Sequence, residues 1–320
     1  AQVMPHSGSP LCSEKKASAA GSMLKLVEDP WREPKLEGWT RFVCFSDTHG
    51  HHASIPAAHL FPADVLLHAG DFTNAGELEQ VQSFAAWLKA YPAEEKVVIA
   101  GNHDITFDDE YYSHFWKDHH SEPYECGEVR GALSGCHYLL DESIQIMGYR
   151  IYGSPWQPVY RSWAFNLPHG PPLAEAWEAI PHDLDILMTH GPPNGIRDRI
   201  QRGRHVGCRQ LRDAIAERRV PVSLFGHIHE GYGIEVHGPT TYINASTCTL
   251  NGRPVNRPIV FDLHPAESRQ SSKKARTVPT SLGPPGAEAD PACPVCDGTG
   301  LLLGDACPLC DGCTEPCEMA

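Results

Sequence analysis

The chain has 320 residues, 41% apolar and 21% charged, which excludes a peptide and a globally disordered chain and leaves room for one large domain with appendages or two ordinary ones. It holds no run of about 18 apolar residues, the length a transmembrane helix needs, so such a helix is excluded. Lys and Arg total 26 against 40 Asp and Glu, and a net charge of −14 is poorly suited to gripping a nucleic-acid backbone.

In chain order, residues 1–30 read as a flexible leader, rich in Ser, Ala and Gly at its start. No basic stretch followed by an apolar one marks a secretory signal. From 31 to 263 the pattern is dense and globular. Short aliphatic runs predict strands at Phe42–Phe45, Val65–Ala69, Val97–Ala100, Ile144–Met147, Arg150–Gly153, Ile186–Thr189, Val222–Phe225, Tyr242–Asn244 and Ile259–Asp262. Helical stretches fall at Glu77–Lys89, about Asp108–Lys117, and Cys208–Arg219. This alternation predicts an α/β fold with a β-rich second half. Cys12, Cys44, Cys126, Cys136, Cys208 and Cys248 are scattered singly, which suggests a reducing, cytoplasmic compartment rather than a disulfide framework. Residues 264–290 turn to Ser, Pro, Lys, Arg and Ala and read as a disordered linker.

The chemistry is carried by the residues at the ends of the strands. FVCF leads into Asp47-Thr48-His49, VLLHA into Gly70-Asp71, and KVVIA into Gly101-Asn102-His103-Asp104. DILMT leads into His190-Gly191, and VSLF into Gly226-His227-Ile228-His229. Each motif alone is an ordinary turn or loop. Five in succession, each after an apolar strand, place metal-ligating residues at the carboxyl ends of strands, where α/β sheets bind ligands. Asp, His and Asn together suit two close divalent ions of the Mn, Fe and Zn set, with Asp71 the candidate bridge. Two dications against two carboxylates and a bridging hydroxide leave one net positive charge, which attracts a phosphate anion. His51 and His52 match no ligand slot and read as solvated loop residues. His68 reads as a packed, hydrogen-bonded histidine. Trp163, Phe165 and Asn166 read as core packing ahead of a wall beside a nucleotide base.

The ordered series Asp-x-His, Gly-Asp, Gly-Asn-His-Asp, His and Gly-His-x-His resembles the calcineurin-like metallophosphoesterase superfamily. FVCFSDTHG, HAGDFTNAG, YGSPWQP, WAFNLPHG, THGPPNGIRD, FGHIHEGYG and TTYINASTC bring it close to the metallophosphoesterase-domain-containing family, which is similar to class III cyclic-nucleotide phosphodiesterases. The resemblance implies a four-layer αββα sandwich. It implies that Asp47, His49, Asp71 and His229 hold one metal, and Asp71, Asn102, His190 and His227 the other. His103 would be the general acid for the leaving alkoxide, oriented by Asp104. The implied reaction is attack of a metal-bridging hydroxide on a small phosphodiester or nucleotide.

The last segment, 291–317, holds two CxxC knuckles. Cys293 and Cys296 are followed, after ten intervening residues, by Cys307 and Cys310, a spacing that suits one structural zinc in a small zinc-ribbon-like module. The unit resembles part of the cysteine-rich module of DnaJ-type cochaperones. From Thr277 to Ala320 there is no Lys or Arg and there are seven acidic residues, which disfavours nucleic acid and favours a protein partner.

The sequence supports two functional readings, a binuclear phosphodiesterase and a catalytically weak nucleotide-binding scaffold that recruits a protein through the zinc module. The complete ligand set favours the enzyme. Protein Ser/Thr phosphatases resemble this chain but carry Gly-Asp-x-x-Asp-Arg-Gly after the second strand, where this chain has Gly70-Asp71-Phe72-Thr73-Asn74-Ala75-Gly76. Without that arginine a singly charged diester is the better-matched substrate.

Overall fold

Runs such as Val97–Ala100 are apolar on consecutive residues, and strands of that kind are buried on both faces. The computed structural model, which describes residues 24–264 and the backbone of 301–302 and 305–306, shows this arrangement. One sheet takes β1 (Leu24–Leu26), β2 (Thr40–Phe45), β3 (Ala63–Ala69), β4 (Ala93–Ile99), β5 (His137–Tyr138) and β14 (Ile259–Leu263), in the order β1-β14-β2-β3-β4-β5. The other takes β6 (Glu142–Ile146), β7 (Tyr149–Ser154), β10 (Ile186–Thr189), β11 (Val222–Phe225), β12 (Gly233–His237) and β13 (Thr240–Asn244), in the order β12-β13-β11-β10-β7-β6. A small parallel pair, β8 (Gln157–Pro158) and β9 (Asn166–Leu167), lies between β7 and β10 in sequence.

Alternate side chains of each central strand divide between two cores. Phe42, Cys44, Val65, Leu67, Val97 and Ile99 meet Ile151, Ile186, Met188, Val222, Leu224 and Ile243 between the sheets. On the outer face of the first sheet, Val43, Phe45, Leu66 and Val98 pack with Val81, Phe84 and Leu88 of helix α1 (Leu78–Ala90). Helices α2 (Asp109–Phe115) and α3 (Cys126–Ala132) extend that layer through Tyr112 and Val129. On the far side, Leu187, Phe225 and Tyr242 pack with Leu173 and Trp177 of α4 (Pro171–Glu178) and Leu211, Ala214 and Ile215 of α5 (Arg209–Arg218). The buried residues of α1 and α5 recur at helical spacing, which makes each an amphipathic cover for one sheet. The result is the expected αββα sandwich.

The boundary at residue 31 needs correction. Leu24–Leu26 pairs antiparallel with β14, so the sheet begins inside the segment expected to be leader. Three residues at the end of a low-complexity stretch carry too little periodicity to be recognised. The module expected at 291–317 has its cysteines outside the described residues, where only a two-residue antiparallel pair, β15 (Leu301–Leu302) with β16 (Asp305–Ala306), is described. Among the described residues no helix is long and apolar enough to cross a membrane.

Candidate metal centre

The parallel strands β2, β3 and β4 and the parallel strands β10 and β11 all end at one edge. Asp47 and His49 come after β2, Asp71 after β3, and Asn102 and His103 after β4. His190 comes after β10, while His227 and His229 come after β11. Each sheet thus contributes part of one cluster. A parallel bridge between Ser46 and Ser246 forms there, and the Thr247 N–H donates to Ser46 O at 2.7 Å.

Ligating atoms of Asp47, His49 and His229 lie within 4.8 Å of one another, as do those of Asp71, His190 and His227. A third such group joins His49, Asp71 and His103, so Asp71 stands between the two halves. Asp71 Oδ2 is 3.3 Å from His190 Nε2 and 3.7 Å from His49 Nε2. Asn102 Oδ1 lies 3.0 Å from His190 Nε2. All seven residues expected to hold metal are therefore brought together.

Their placement is forced by backbone and close packing. Asp47, His49, Asp71 and His227 have φ of 51°, 43°, 54° and 64°. The left-handed region costs an ordinary residue on the order of 1 kcal/mol, a cost that clusters at functional sites. Gly101 and Gly226 are required by space: a Cβ at either would collide with the Asp71 or Asp47 carboxylate.

The ring atoms are aimed as well. His190 Nδ1 donates to Ala69 O at 2.9 Å and His229 Nδ1 donates to Thr249 O at 3.2 Å. Each bond leaves Nε2 facing the carboxylates, the way outer partners orient metal-binding imidazoles. The Asp47 carboxylate accepts from the His227 N–H at 3.0 Å and from Ser246 Oγ at 2.9 Å.

Burial opposes charge on His190, yet Asp71 raises its pKa to about 9. His229 also rises to about 9, where burial is outweighed by its bond to Asp47. Burial and then the nearby His190 lower His227 to about 3, and burial lowers His49 to about 4. Asp71 is held well below the usual carboxylate range, because His190 and its other histidine neighbours outweigh burial. Two buried carboxylates ringed by imidazoles form a site that takes up positive charge, and the donor set fits divalent ions of the Mn, Fe and Zn kind.

His103 lies at the edge of this cluster. Its N–H donates to Asp71 Oδ1 at 2.8 Å, and its Nδ1 donates to Asn74 O at 2.8 Å. Trp163 stacks on the ring with centroids 4.0 Å apart at 30°. Asp104 departs from the role expected of it. Its buried carboxylate accepts from Thr73 Oγ1 at 2.7 Å, Thr73 N at 2.9 Å and Gly101 N at 2.8 Å, so it braces the two loops. The imidazole of His103 is oriented by Asn74 O instead. Burial and then the charge of Asp71 push the Asp104 pKa up to about 7.

Other expectations divide. His68 is buried and bonds Thr48 Oγ1 at 3.0 Å, as a packed histidine should. His52 is buried rather than solvated, with Nε2 2.9 Å from Ser83 Oγ. Phe165 is core, while Trp163 is only partly buried and lies at the site. Tyr160 belongs to none of the ligand motifs, yet its ring is 5.9 Å from that of His227.

A cluster of Asp, Asn and His at the shared edge of an αββα sandwich defines a metal-dependent phosphoester hydrolase. The family profile described as calcineurin-like phosphoesterase matches residues 40–231, and the chain belongs to that family. It is similar to metallophosphoesterase domain-containing protein 1 of Homo sapiens and of Mus musculus, each 46% identical over 244 residues, 73% of this chain and 74% of the relative. A UPF0046 protein of Caenorhabditis elegans is 40% identical over 245 residues, covering 70% of this chain and 61% of that protein.

Proposed function

We propose that the chain is a phosphodiesterase acting on small phosphodiesters, cyclic nucleotides among them. The observation that carries this reading is the loop after β3. Phe72, Thr73, Asn74, Ala75 and Gly76 are uncharged, and their polar groups are used internally. Thr73 bonds Asp104, Asn74 O holds His103, and Asn74 Nδ2 donates to Gln80 Oε1 at 3.2 Å. This loop offers no guanidinium for the second charge of a phosphate monoester, and a diester carries only one charge to match.

Asp47, His49, Asp71 and His229 would hold one divalent ion, and Asp71, Asn102, His190 and His227 the second. Bound ions would supply Lewis-acid polarisation of the phosphoryl oxygens and a water of lowered pKa. His103 is the proton donor to the leaving alkoxide. The bond from its Nδ1 to Asn74 O orients the ring, and Trp163 fixes the ring plane. A positioned donor of this kind suits an alkoxide leaving group, which departs poorly without a proton.

The test is a substrate panel with the purified full chain and added Mn²⁺. Bis(p-nitrophenyl) phosphate and cyclic nucleotides should show a higher kcat/KM than p-nitrophenyl phosphate. A preference for the monoester would defeat the diesterase reading, and no turnover of either would favour the scaffold.

A further inference from the structure

The chain is strongly acidic overall, yet between Arg199 and Arg212 it carries five arginines and one histidine with no Asp or Glu. Part of this segment is a built hairpin. Arg199 and His205 form an antiparallel bridge, Ile200 N–H donates to Arg204 O at 3.0 Å, and Gly203 N–H donates to Ile200 O at 2.8 Å. The base is locked by Asp198, which is fully buried. Its carboxylate accepts from Gly195 N and Gly207 N, each at 2.9 Å, and from His205 Nδ1 at 2.5 Å. At the tip, Arg199 Nε donates to Gly203 O at 3.2 Å, which folds its guanidinium back across the turn that carries Arg202. Arg199 and Arg202 are both exposed.

The hairpin is fastened to the metal-ligand loop. Arg197 O packs so closely on Gly231 that a Cβ there would overlap it, and Asn244 Nδ2 spans Arg197 O at 3.3 Å and Ile228 O at 2.9 Å. The tip itself reaches this loop, because Gln201 N–H donates to Glu230 Oε1 at 3.1 Å, one residue from His229. Tyr160 and Trp163 stand against His227 and His103. The centre thus has an aromatic wall beside it, and the loop that carries His227 and His229 is tied through Glu230 to the arginine tip. Exposed guanidiniums on a hydrogen-bonded hairpin are matched to phosphate oxygens, with the Asp198 carboxylate buried and engaged at the base and the exposed Glu230 carboxylate accepting the Gln201 N–H.

We propose that the Arg199–Arg202 tip binds a second, non-scissile phosphate of a mononucleotide substrate whose diester is held at the metal centre. The proposal rests on the phosphodiesterase reading and names the specificity element of that site. It is tested with thymidine 5′-(p-nitrophenyl phosphate), with and without a 3′-phosphate, on the full chain and on R199E/R202E. Both positions are exposed, so charge reversal leaves the cores intact. The wild type should favour the 3′-phosphorylated ester by about tenfold in kcat/KM, the size of one charge-assisted contact, and should lose that preference as salt rises. The variant should bring the ratio to one or below. An unchanged ratio in the variant, or no preference in the wild type, overturns the proposal. Calorimetry with thymidine 3′,5′-bisphosphate and thymidine 5′-monophosphate separates it from the reading it rests on. If neither ester is turned over, the diesterase reading falls. Tighter bisphosphate binding that is lost in R199E/R202E still upholds the hairpin site, and equal binding by both proteins overturns it.

Discussion

His103 is held at three points: its N–H on Asp71, its Nδ1 on Asn74 O, and its face on Trp163. Replacing it with alanine should lower turnover by about 10²–10⁴-fold for diesters with poor leaving groups, and much less for nitrophenolate esters, which leave without a proton. Trp163→Ala should reproduce the same leaving-group pattern at about ten- to hundredfold, since a misplaced donor transfers less well. The double variant should be no slower than His103→Ala alone. A rate loss for Trp163→Ala that is equal for good and poor leaving groups would show that the tryptophan acts elsewhere. The histidine is legible in Gly-Asn-His-Asp because the motif names it. Its orienting partner is not, because every residue has a carbonyl and only the fold shows that Asn74 supplies this one. Asp104 stands next to the histidine in sequence, and adjacency suggests a contact that the turn of the chain instead directs to Thr73 and Gly101.

At the scale of elements, the site is a set of strand ends that glycine allows to crowd together. Gly226→Ala places a methyl group on Asp47 and Ser46. The expected result is a lower Tm, from about 1–3 kcal/mol of overpacking, together with loss of metal from the half that contains Asp47. Wild-type Tm and metal content in that variant would contradict the cradle. Beside α1, His52 is buried against Ser83, Phe84 and Trp87, and burial lowers its pKa from 6.5 to about 4. Below pH 6.5 the unfolded chain binds a proton that the native chain refuses until about pH 4, so His52 draws stability down across that window. His52→Gln should flatten this acid limb in urea midpoints measured against pH, and identical slopes would show that His52 does not cause it. Strong apolar runs and helices α1 and α5 are legible because both kinds of periodicity are local. Helices α3 and α4 are not, since CGEVRGA carries two glycines and PPLAEAWE opens on two prolines. In α4 those prolines sit at the first turn, where the missing N–H costs nothing.

The whole molecule holds its two sheets together through the inter-sheet core, and long-range ties hold the strands within them. Arg41 and the fully buried Asp262 form a two-pronged ion pair at 2.7 and 2.9 Å that fixes β14 beside β2, joining residues 221 positions apart. Such partners are invisible to local pattern, whereas the order of ligand motifs along the chain carries the family resemblance that implies the αββα class. Seven residues from both sheets gather into one candidate divalent-metal site, with Asp71 between its two halves, and the proposed function assigns phosphodiester hydrolysis to it. The direct measurement is bis(p-nitrophenyl) phosphate turnover by the chelator-treated chain as Mn²⁺ is added back, with bound metal counted in parallel for wild type and Asp71→Ala. Activity should vanish on chelation, return as two further ions bind, and not return in Asp71→Ala, which should fail to retain either. Undiminished turnover after chelation, or two ions and full activity in Asp71→Ala, would contradict this assignment.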